Sequence, residues 1–458
     1  MNDDFSKGEH SHAKNSDRKA QHEPEIRIVQ ITLPRCRSFQ GTVQLPGSKS
    51  LANRLLLLSA LAKGRTVLHS LPDAEDVQVL LHLLPSLGIR CEISGDSAAI
   101  EGAGGPLPVS DAVLQVENAG TAMRPLVAVL CAGKGRFVVD GNEQMRRRPI
   151  GDLIRGLADL GLNVSGTENR TGSGVDLCPP VTIVASGIPG GTARLSGNVS
   201  SQFISALLLA APLASSSVTI EVEGNPVSKP YIDMTLQVMK QFGVQVDRRA
   251  YSSFFVPAAA YQSPGEITVE GDATAATYFL SLGALSGPVT VRSLYPDSLQ
   301  GDVRYAAILE KMGASVERTD DSITVSRGEL HGIDIDMNDM PDAAMTLAVL
   351  ALFAKGPTHI RNIANLRVKE SERIRGLARE LQKLGAEVQE SQDSLAVTPP
   401  SLLRPAVIET YRDHRMAMAF SLASFGTEVT ILDPACVNKT YPGYFRDFAS
   451  VSRGTGAN

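Results

Sequence analysis

Positively charged side chains stand at the edges of long apolar stretches in this sequence. LPGSKSLANRLLLLSALAKG places Lys49 and Arg54 at the head of one such run, with Gly47, Ser48 and Ser50 beside them. A helix beginning there offers unpaired backbone N–H groups, and an anion held by them would also meet the two cations. Taken alone, the segment fits a solvated turn equally well. ENAGTAMRPLVAVL supplies Asn118, Ala119, Gly120 and Thr121 before a second run that contains Arg124, and SGNVSSQFISALLLAAPL supplies Ser200, Ser201 and Gln202 before a third. Their small polar groups donate to phosphate or carboxylate oxygens without carrying charge, although a serine-rich N-cap is the ordinary reading of the last.

Acids are fewer. Asp342 opens DMPDAAMTLAVLALFAKG, where it either caps a helix or handles a hydroxyl and its proton. Arg146, Arg147 and Arg148 are consecutive and cannot all face one site, so Arg148, beside Pro149, is the candidate. RNIANLRVKESERIRG gathers Arg367, Lys369, Glu370, Arg373 and Arg375. A helix beginning near Lys369 would put Lys369 and Arg373 on one face, a like-charge pair that needs an anion or Glu370 to compensate it. Asp413, His414 and Arg415 start another apolar run, and no HxH or HExxH spacing accompanies the histidine, so no metal is expected. Lys439 lies by a Pro/Gly-rich turn. Together Lys49, Arg54, Arg148, Arg373, Arg415 and Lys439 suit ligands bearing phosphates and carboxylates. A P-loop site fits poorly, because the GxxxxGK[ST] spacing is absent around Lys49, and the Rossmann glycine pattern is missing.

The elements that must position these residues recur along the chain. A nearly all-apolar helix pattern followed by a β-prone segment appears near Gly64, Gly135, Ser215, Gly287, Gly356 and Gly426, at intervals close to 70 residues with one near 80. A second, amphipathic helix pattern ends at Gly88, Gly161, Gly243, Gly313 and Gly385, where glycine is the expected C-cap. Two interleaved periods imply about six copies of one α/β unit. The apolar helix belongs inside a domain and the more polar one outside. Six units divide naturally as three plus three, with a ligand cleft between.

The whole chain is consistent with that reading. It has 458 residues, 43 % of them apolar, and 44 basic against 49 acidic side chains for a net charge of −5. No broad field exists to collect nucleic acid, so anions must be held by a local cluster. The cysteines (Cys36, Cys91, Cys131, Cys178, Cys436) are scattered and without CxxC spacing, which predicts a reducing compartment, the cytoplasm, and no structural zinc. Residues 1–30 are polar and lack an apolar signal core, so a disordered tail is expected; His10, His12 and His22 lack a metal-site spacing. No apolar run is long enough for a membrane span.

LPGSKSLANR, NAGTAMRP, RPIGDLI, VSSQFISALL, SKPYIDMTL, EGDATAATYFL, DMPDAAMT, NLRVKESERI, DHRMAM and the Lys439 segment occur in one order, and in them the chain resembles the 5-enolpyruvylshikimate-3-phosphate synthase family from about residue 30 to about residue 450. The resemblance implies a two-domain inside-out α/β fold, each domain built from three βαβαββ repeats with buried parallel helices. One domain would be discontinuous, 31–46 plus 270–458, and the other would span 47–269. It further implies that Lys49, Ser50, Arg54, Ser200, Ser201, Gln202, Ser228, Tyr231, Asp342, Asn365 and Lys369 address shikimate 3-phosphate. Lys49, Asn118, Gly120, Arg148, Gln202, Arg373, Arg415 and Lys439 would surround phosphoenolpyruvate.

The implied reaction transfers the enolpyruvyl group to the 5-hydroxyl of shikimate 3-phosphate and releases phosphate, a step toward chorismate and the aromatic amino acids, with neither cofactor nor metal. Glu370 is the candidate for proton transfer at the methylene carbon, Asp342 for the 5-hydroxyl, and Lys49 for charge stabilisation. Gly120, Thr121 and Pro125 match the pattern of glyphosate-sensitive members, so the inhibitor glyphosate is expected to bind; a monomer is expected. Glu117 and Gln144 depart from the family pattern beside these motifs and bear on loop packing. The related UDP-N-acetylglucosamine enolpyruvyl transferases usually carry a loop cysteine where NEQMRRR has none, and SKPYIDMTL favours the shikimate substrate. A noncatalytic anion-binding protein on the same repeats would keep the arginines without needing Glu370 and Asp342 together.

Overall fold

The computed structural model describes residues 29–171, 174–295 and 297–453. The expected tail, except residues 29 and 30, and His10, His12 and His22 lie outside them. Twelve α-helices are present among the described residues: α1 (Lys49–Leu61), α2 (Glu75–Ser86), α3 (Gly120–Leu130), α4 (Gly151–Asp159), α5 (Ser201–Ala210), α6 (Lys229–Gln241), α7 (Ala273–Leu285), α8 (Tyr305–Met312), α9 (Pro341–Leu350), α10 (Arg373–Lys383), α11 (His414–Ser421) and α12 (Tyr444–Val451). They alternate in character, as the two interleaved patterns predict. Every residue of α7 and α11 is buried, whereas α10 buries Ile374, Leu377 and Leu381 and leaves Arg375 outside. Burying each large aliphatic side chain in the inner helices contributes about 1.5–3 kcal/mol, enough to hold helices that have no polar face to orient them.

Each helix pair belongs to a small mixed sheet. Around α3, for example, Asp111–Gln115 runs parallel to Lys134–Asp140, and after α4 the antiparallel strands Asn163–Thr171 and Gly174–Ser186 complete the four-stranded sheet. Among the described residues six such sheets occur, five of four strands and one of three. Three of them take a strand from far away in sequence. Gly41–Gln44 lies parallel to Val289–Arg292, Glu266–Thr268 lies parallel to Lys63–His69, and Gln30–Leu33 pairs with Val429–Leu432.

The helices pack into two cores. One runs from Leu51 to Val269; the other joins Leu33–Leu45 to Ala273–Val451. Two adjacent chain segments link them: Ser48 N–H donates to the Glu270 carbonyl at 2.8 Å and Asp272 N–H donates to the Pro46 carbonyl at 2.9 Å. The amphipathic helices end as expected where glycine can take a left-handed conformation, as Gly313 does after α8 at φ +116°.

One local expectation needs correction. No helix begins near Lys369. A 3-10 turn covers Ala364–Val368, and α10 starts at Arg373 because the Glu372 side chain caps it, accepting from Arg375 N–H at 3.2 Å. Lys369 therefore precedes the helix, and the like-charge pair on one helical face does not form. No helix among the described residues is long and apolar enough to cross a membrane.

Candidate active site

The inner helices converge with their N-termini on the boundary between the two cores. Lys49 and Ser50 of α1, Thr121 of α3, Ser201 and Gln202 of α5, Asp342 of α9, and His414 and Arg415 of α11 line one cavity. The α7 terminus adjoins it, since its capping Asp272 also accepts from Lys49 N–H at 3.4 Å. Several helix N-termini aimed at one space create a positive potential before any side-chain charge is counted. Ser228 and Tyr231 at the start of α6, Lys369 and Glu370 from the segment before α10, and Arg373 at the start of α10 add to the lining, and Arg54 and Arg148 complete it.

On the side of α9–α11 the arginines are bound to carboxylates. Arg373 is 1 % exposed and donates at 2.8 Å to Asp342, Glu370 and Asp413. Arg415 donates to the other Asp342 oxygen at 2.8 Å and to the Tyr278 hydroxyl at 3.4 Å. Burial opposes ionisation of Asp342, but Arg415, Lys369 and Arg373 outweigh it and hold the carboxyl well below the usual range. Glu370 is likewise pushed up by burial and pulled further down by Arg148, Arg373, Lys439 and His414, so it is a carboxylate. Burial lowers Lys369, with partial restoration from Asp342.

On the side of α1, α5 and α6 the surroundings are neutral. Arg54, 6 % exposed, donates to Thr235 Oγ1 and the Ser50 carbonyl at 2.8 Å, to the Tyr231 carbonyl at 3.3 Å and to Ser205 Oγ at 3.4 Å. Burial pulls its guanidinium down to about 10. Ser200 caps α5 through Gln202 N–H at 3.2 Å. Ser228 has a left-handed backbone, φ +55°, and its N–H donates to the Asn338 carbonyl across the boundary at 3.0 Å. Asn365 Nδ2 donates to Ser228 Oγ at 3.2 Å.

Between these sides, Arg148 Nη1 reaches Glu370 Oε1 and Asn118 Oδ1, each at 3.3 Å, while Arg146 and Arg147 turn outward to Asp140 and Glu143. Gly120 lies against this group: a Cβ there would stand 2.9 Å from Arg148 Nη1 and 2.8 Å from Arg124 Nη1. Lys439 donates to Asp76 Oδ1 at 2.7 Å and Lys49 to Asp76 Oδ2 at 3.1 Å. Lys439 and Asn118 border a second cavity of about 580 Å³ rather than lining the first, although the Lys439 ammonium also meets the Asn118 carbonyl at 2.5 Å.

The structure brings the sequence-selected residues into one neighbourhood and adds others. Asp76 is one that sequence reasoning missed: Glu75 and Asp76 in the first turn of α2 look like ordinary helix-dipole acids. Gln144, noted only as a departure in the loop, bonds the Glu370 carbonyl at 3.4 Å and Asn118 Nδ2 at 3.2 Å. Asp302 is a third, buried with one oxygen on Thr274 and the other without a partner; burial raises it to about 6. The buried Nε atoms of Arg148 and Arg415 and both ring nitrogens of His414 also lack hydrogen-bond partners. Buried polar atoms without partners cost about 1–3 kcal/mol each. Among the described residues no group of three or more side chains is arranged to hold a metal.

Comparison with known proteins agrees with this chemistry. The family model described as EPSP synthase (3-phosphoshikimate 1-carboxyvinyltransferase) matches residues 35–448. A 3-phosphoshikimate 1-carboxyvinyltransferase from a Marinomonas species is 50 % identical over 429 residues, covering 92 % of this chain and 99 % of that protein. One from Vibrio vulnificus is 49 % identical over 428 residues, with the same coverage of 92 % and 99 %. A solved EPSP synthase from Acinetobacter baumannii superposes with a TM-score of 0.76 at 25 % identity, covering 92 % of this chain and 98 % of that one. With the repeats, the site motifs and these likenesses in agreement, the chain belongs to the EPSP synthase family, the 3-phosphoshikimate 1-carboxyvinyltransferases.

Proposed function

We propose that the enolpyruvyl transfer from phosphoenolpyruvate to shikimate 3-phosphate, which family membership assigns to this chain, is carried out by the residues gathered at the boundary of the two cores. The single observation that carries this reading is the charge pattern: six cations (Lys49, Arg148, Lys369, Arg373, Arg415, Lys439) gather around Asp76, Asp342, Glu370 and Asp413, while Arg54 stands apart among neutral acceptors. Shikimate 3-phosphate takes the neutral-lined side, its phosphate near Arg54, Ser200, Ser201 and Ser228, and its ring between Tyr231, Gln202, Asn365, Lys369 and Asp342. Phosphoenolpyruvate takes the side of Lys49, Gly120, Arg148, Arg373, Arg415 and Lys439, with Asn118 orienting Arg148. Ser50 and Gln202 contribute polar contacts at the helix termini.

The electrostatics suggest how proton transfer is gated. Glu370 is ionised because Arg148 and Arg373 face it. A phosphoenolpyruvate carboxylate that engages these arginines offsets their charge, so Glu370 rises toward a value at which it can carry a proton. That proton goes to the methylene carbon, and the 5-hydroxyl oxygen bonds to the adjacent carbon as Asp342 takes or orients its proton. Breaking the carbon–oxygen bond to phosphate, with loss of a methyl proton back to Glu370, restores the enol ether. Lys49 stabilises the charge that leaves with phosphate.

The same reading includes glyphosate as a ligand of the phosphoenolpyruvate side, supported by the bare backbone at Gly120. It divides the chain into the domains 31–46 plus 270–458 and 47–269, and makes it a cytoplasmic monomer, supported by scattered cysteines without CxxC spacing and a site assembled within one chain. Purified protein is assayed with shikimate 3-phosphate and with UDP-N-acetylglucosamine as acceptors. Phosphate release and an enolpyruvyl product with the first alone are expected; product from the second alone would refute the assignment. Scattering should show compaction on adding shikimate 3-phosphate.

A further inference from the structure

Asp76 is 3 % exposed and its two oxygens hold two different ammonium groups, Lys49 on the same core and Lys439 on the other. The two lysines are 390 positions apart in a chain of 458 residues, and one carboxylate brings them together. Lys439 is also faced by Glu75 from α2, Glu370 and Arg148, and Lys49 by His414. Asp76 is the only one of these groups that touches both ammoniums among the contacts of the described residues. It stands in the wall of the second cavity, with Glu75, Asn118 and Lys439.

We infer that Asp76 is a positioning residue for the transfer reaction, a shared counter-ion that keeps the Lys49 and Lys439 ammonium groups together on the phosphoenolpyruvate side. This rests on the reading of both lysines as anion-holding groups. It assigns to Asp76 no contact with substrate. Two buried ammoniums repel each other and lack bulk hydration, and both effects drive protons off unless a carboxylate lies between them. Burial already lowers Lys439, and Asp76 is the leading influence that raises it again. A neutral residue at position 76 therefore leaves the Lys439 ammonium without the carboxylate that holds its proton, so the site loses positive charge as pH rises but not at lower pH.

The test uses the full-length enzyme with D76N and D76S, each accepted as folded if its affinity for shikimate 3-phosphate is within about threefold of the parent. At pH 6.5 the phosphoenolpyruvate KM should remain within about threefold of the parent, and at pH 9 it should rise at least about tenfold. The alkaline limb of kcat/KM should fall by about one pH unit. D76E, which keeps the charge, should restore most of the limb. An alkaline limb unchanged in D76N and D76S would overturn the inference, as would an equal loss at both pH values. K439M separates this from the underlying reading: if K439M keeps the parent KM for phosphoenolpyruvate, the assignment of Lys439 fails whatever Asp76 does.

Discussion

Arg54 and Arg373 are both buried at the boundary between the cores, yet their surroundings differ in kind. Arg54 meets hydroxyls and carbonyls, and Arg373 meets three carboxylates. A guanidinium among neutral acceptors retains its charge for an incoming dianion, so the Arg54 side is built for strong binding that changes little during a reaction. A guanidinium among carboxylates has its charge already matched, and any anion that arrives must redistribute it. That redistribution shifts the proton affinity of Glu370 and Asp342, which is the property an acid–base site needs. On the proposed reading, the two sides of the cavity separate holding from reacting.

The contrast is most exposed to failure at Glu370. Glu370→Gln is expected to lower kcat by about 10²–10⁴-fold while calorimetric affinity for shikimate 3-phosphate stays within threefold; loss of both together would mean that the sides do not act separately. Next, Arg54→Lys removes the guanidinium fork proposed to hold an anionic group of shikimate 3-phosphate. Its expected effect is a shikimate 3-phosphate Kd about 10–100-fold weaker, or roughly 1.4–3 kcal/mol, with kcat at saturation nearly unchanged. A fallen kcat with normal affinity would reverse the roles given to the two arginines.

Gly120→Ala should be milder. Its methyl group would press on the ends of Arg148 and Arg124 rather than on backbone, so the phosphoenolpyruvate KM should rise about tenfold and shikimate 3-phosphate affinity should not change. The smallest effect concerns stability. Burial raises Asp302 to about 6, above the value of an unfolded aspartate. The folded protein therefore holds that proton more tightly, so the favourable contribution is complete below the unfolded value and is lost as pH rises through about 6. The loss is on the order of 3 kcal/mol above that range. Asp302→Asn should accordingly melt higher than the parent at pH 8, with the difference shrinking toward pH 4; a difference independent of pH would contradict it.

The inner helices could be read directly from sequence because each pairs an apolar run with a polar start, and LPGSKS, VSSQ and YRDHR do cap helices there. Position in the first turns then placed Lys49, Ser201, Asp342 and Arg415 at one end. Asp76 could not be found this way, since its role depends on Lys439 arriving from the other core. The start of α10 was misplaced for a local reason: Glu372, not a residue near Lys369, provides the cap, and a run as polar as RVKESER carries no apolar period to mark the boundary. Periodicity likewise reported six units but could not reveal that three sheets borrow a strand from a remote segment.

Those borrowed strands have a consequence for how the polypeptide is made. The sheet that contains Val289–Arg292 includes Gly41–Gln44, and Gln30–Leu33 is completed only by Val429–Leu432. As the chain leaves the ribosome these early segments have no partners until more than half of it has been translated, whereas everything the Leu51–Val269 core needs has emerged by then. Synthesis therefore favours an order in which the inserted half condenses first and the outer half assembles around its two ends afterwards.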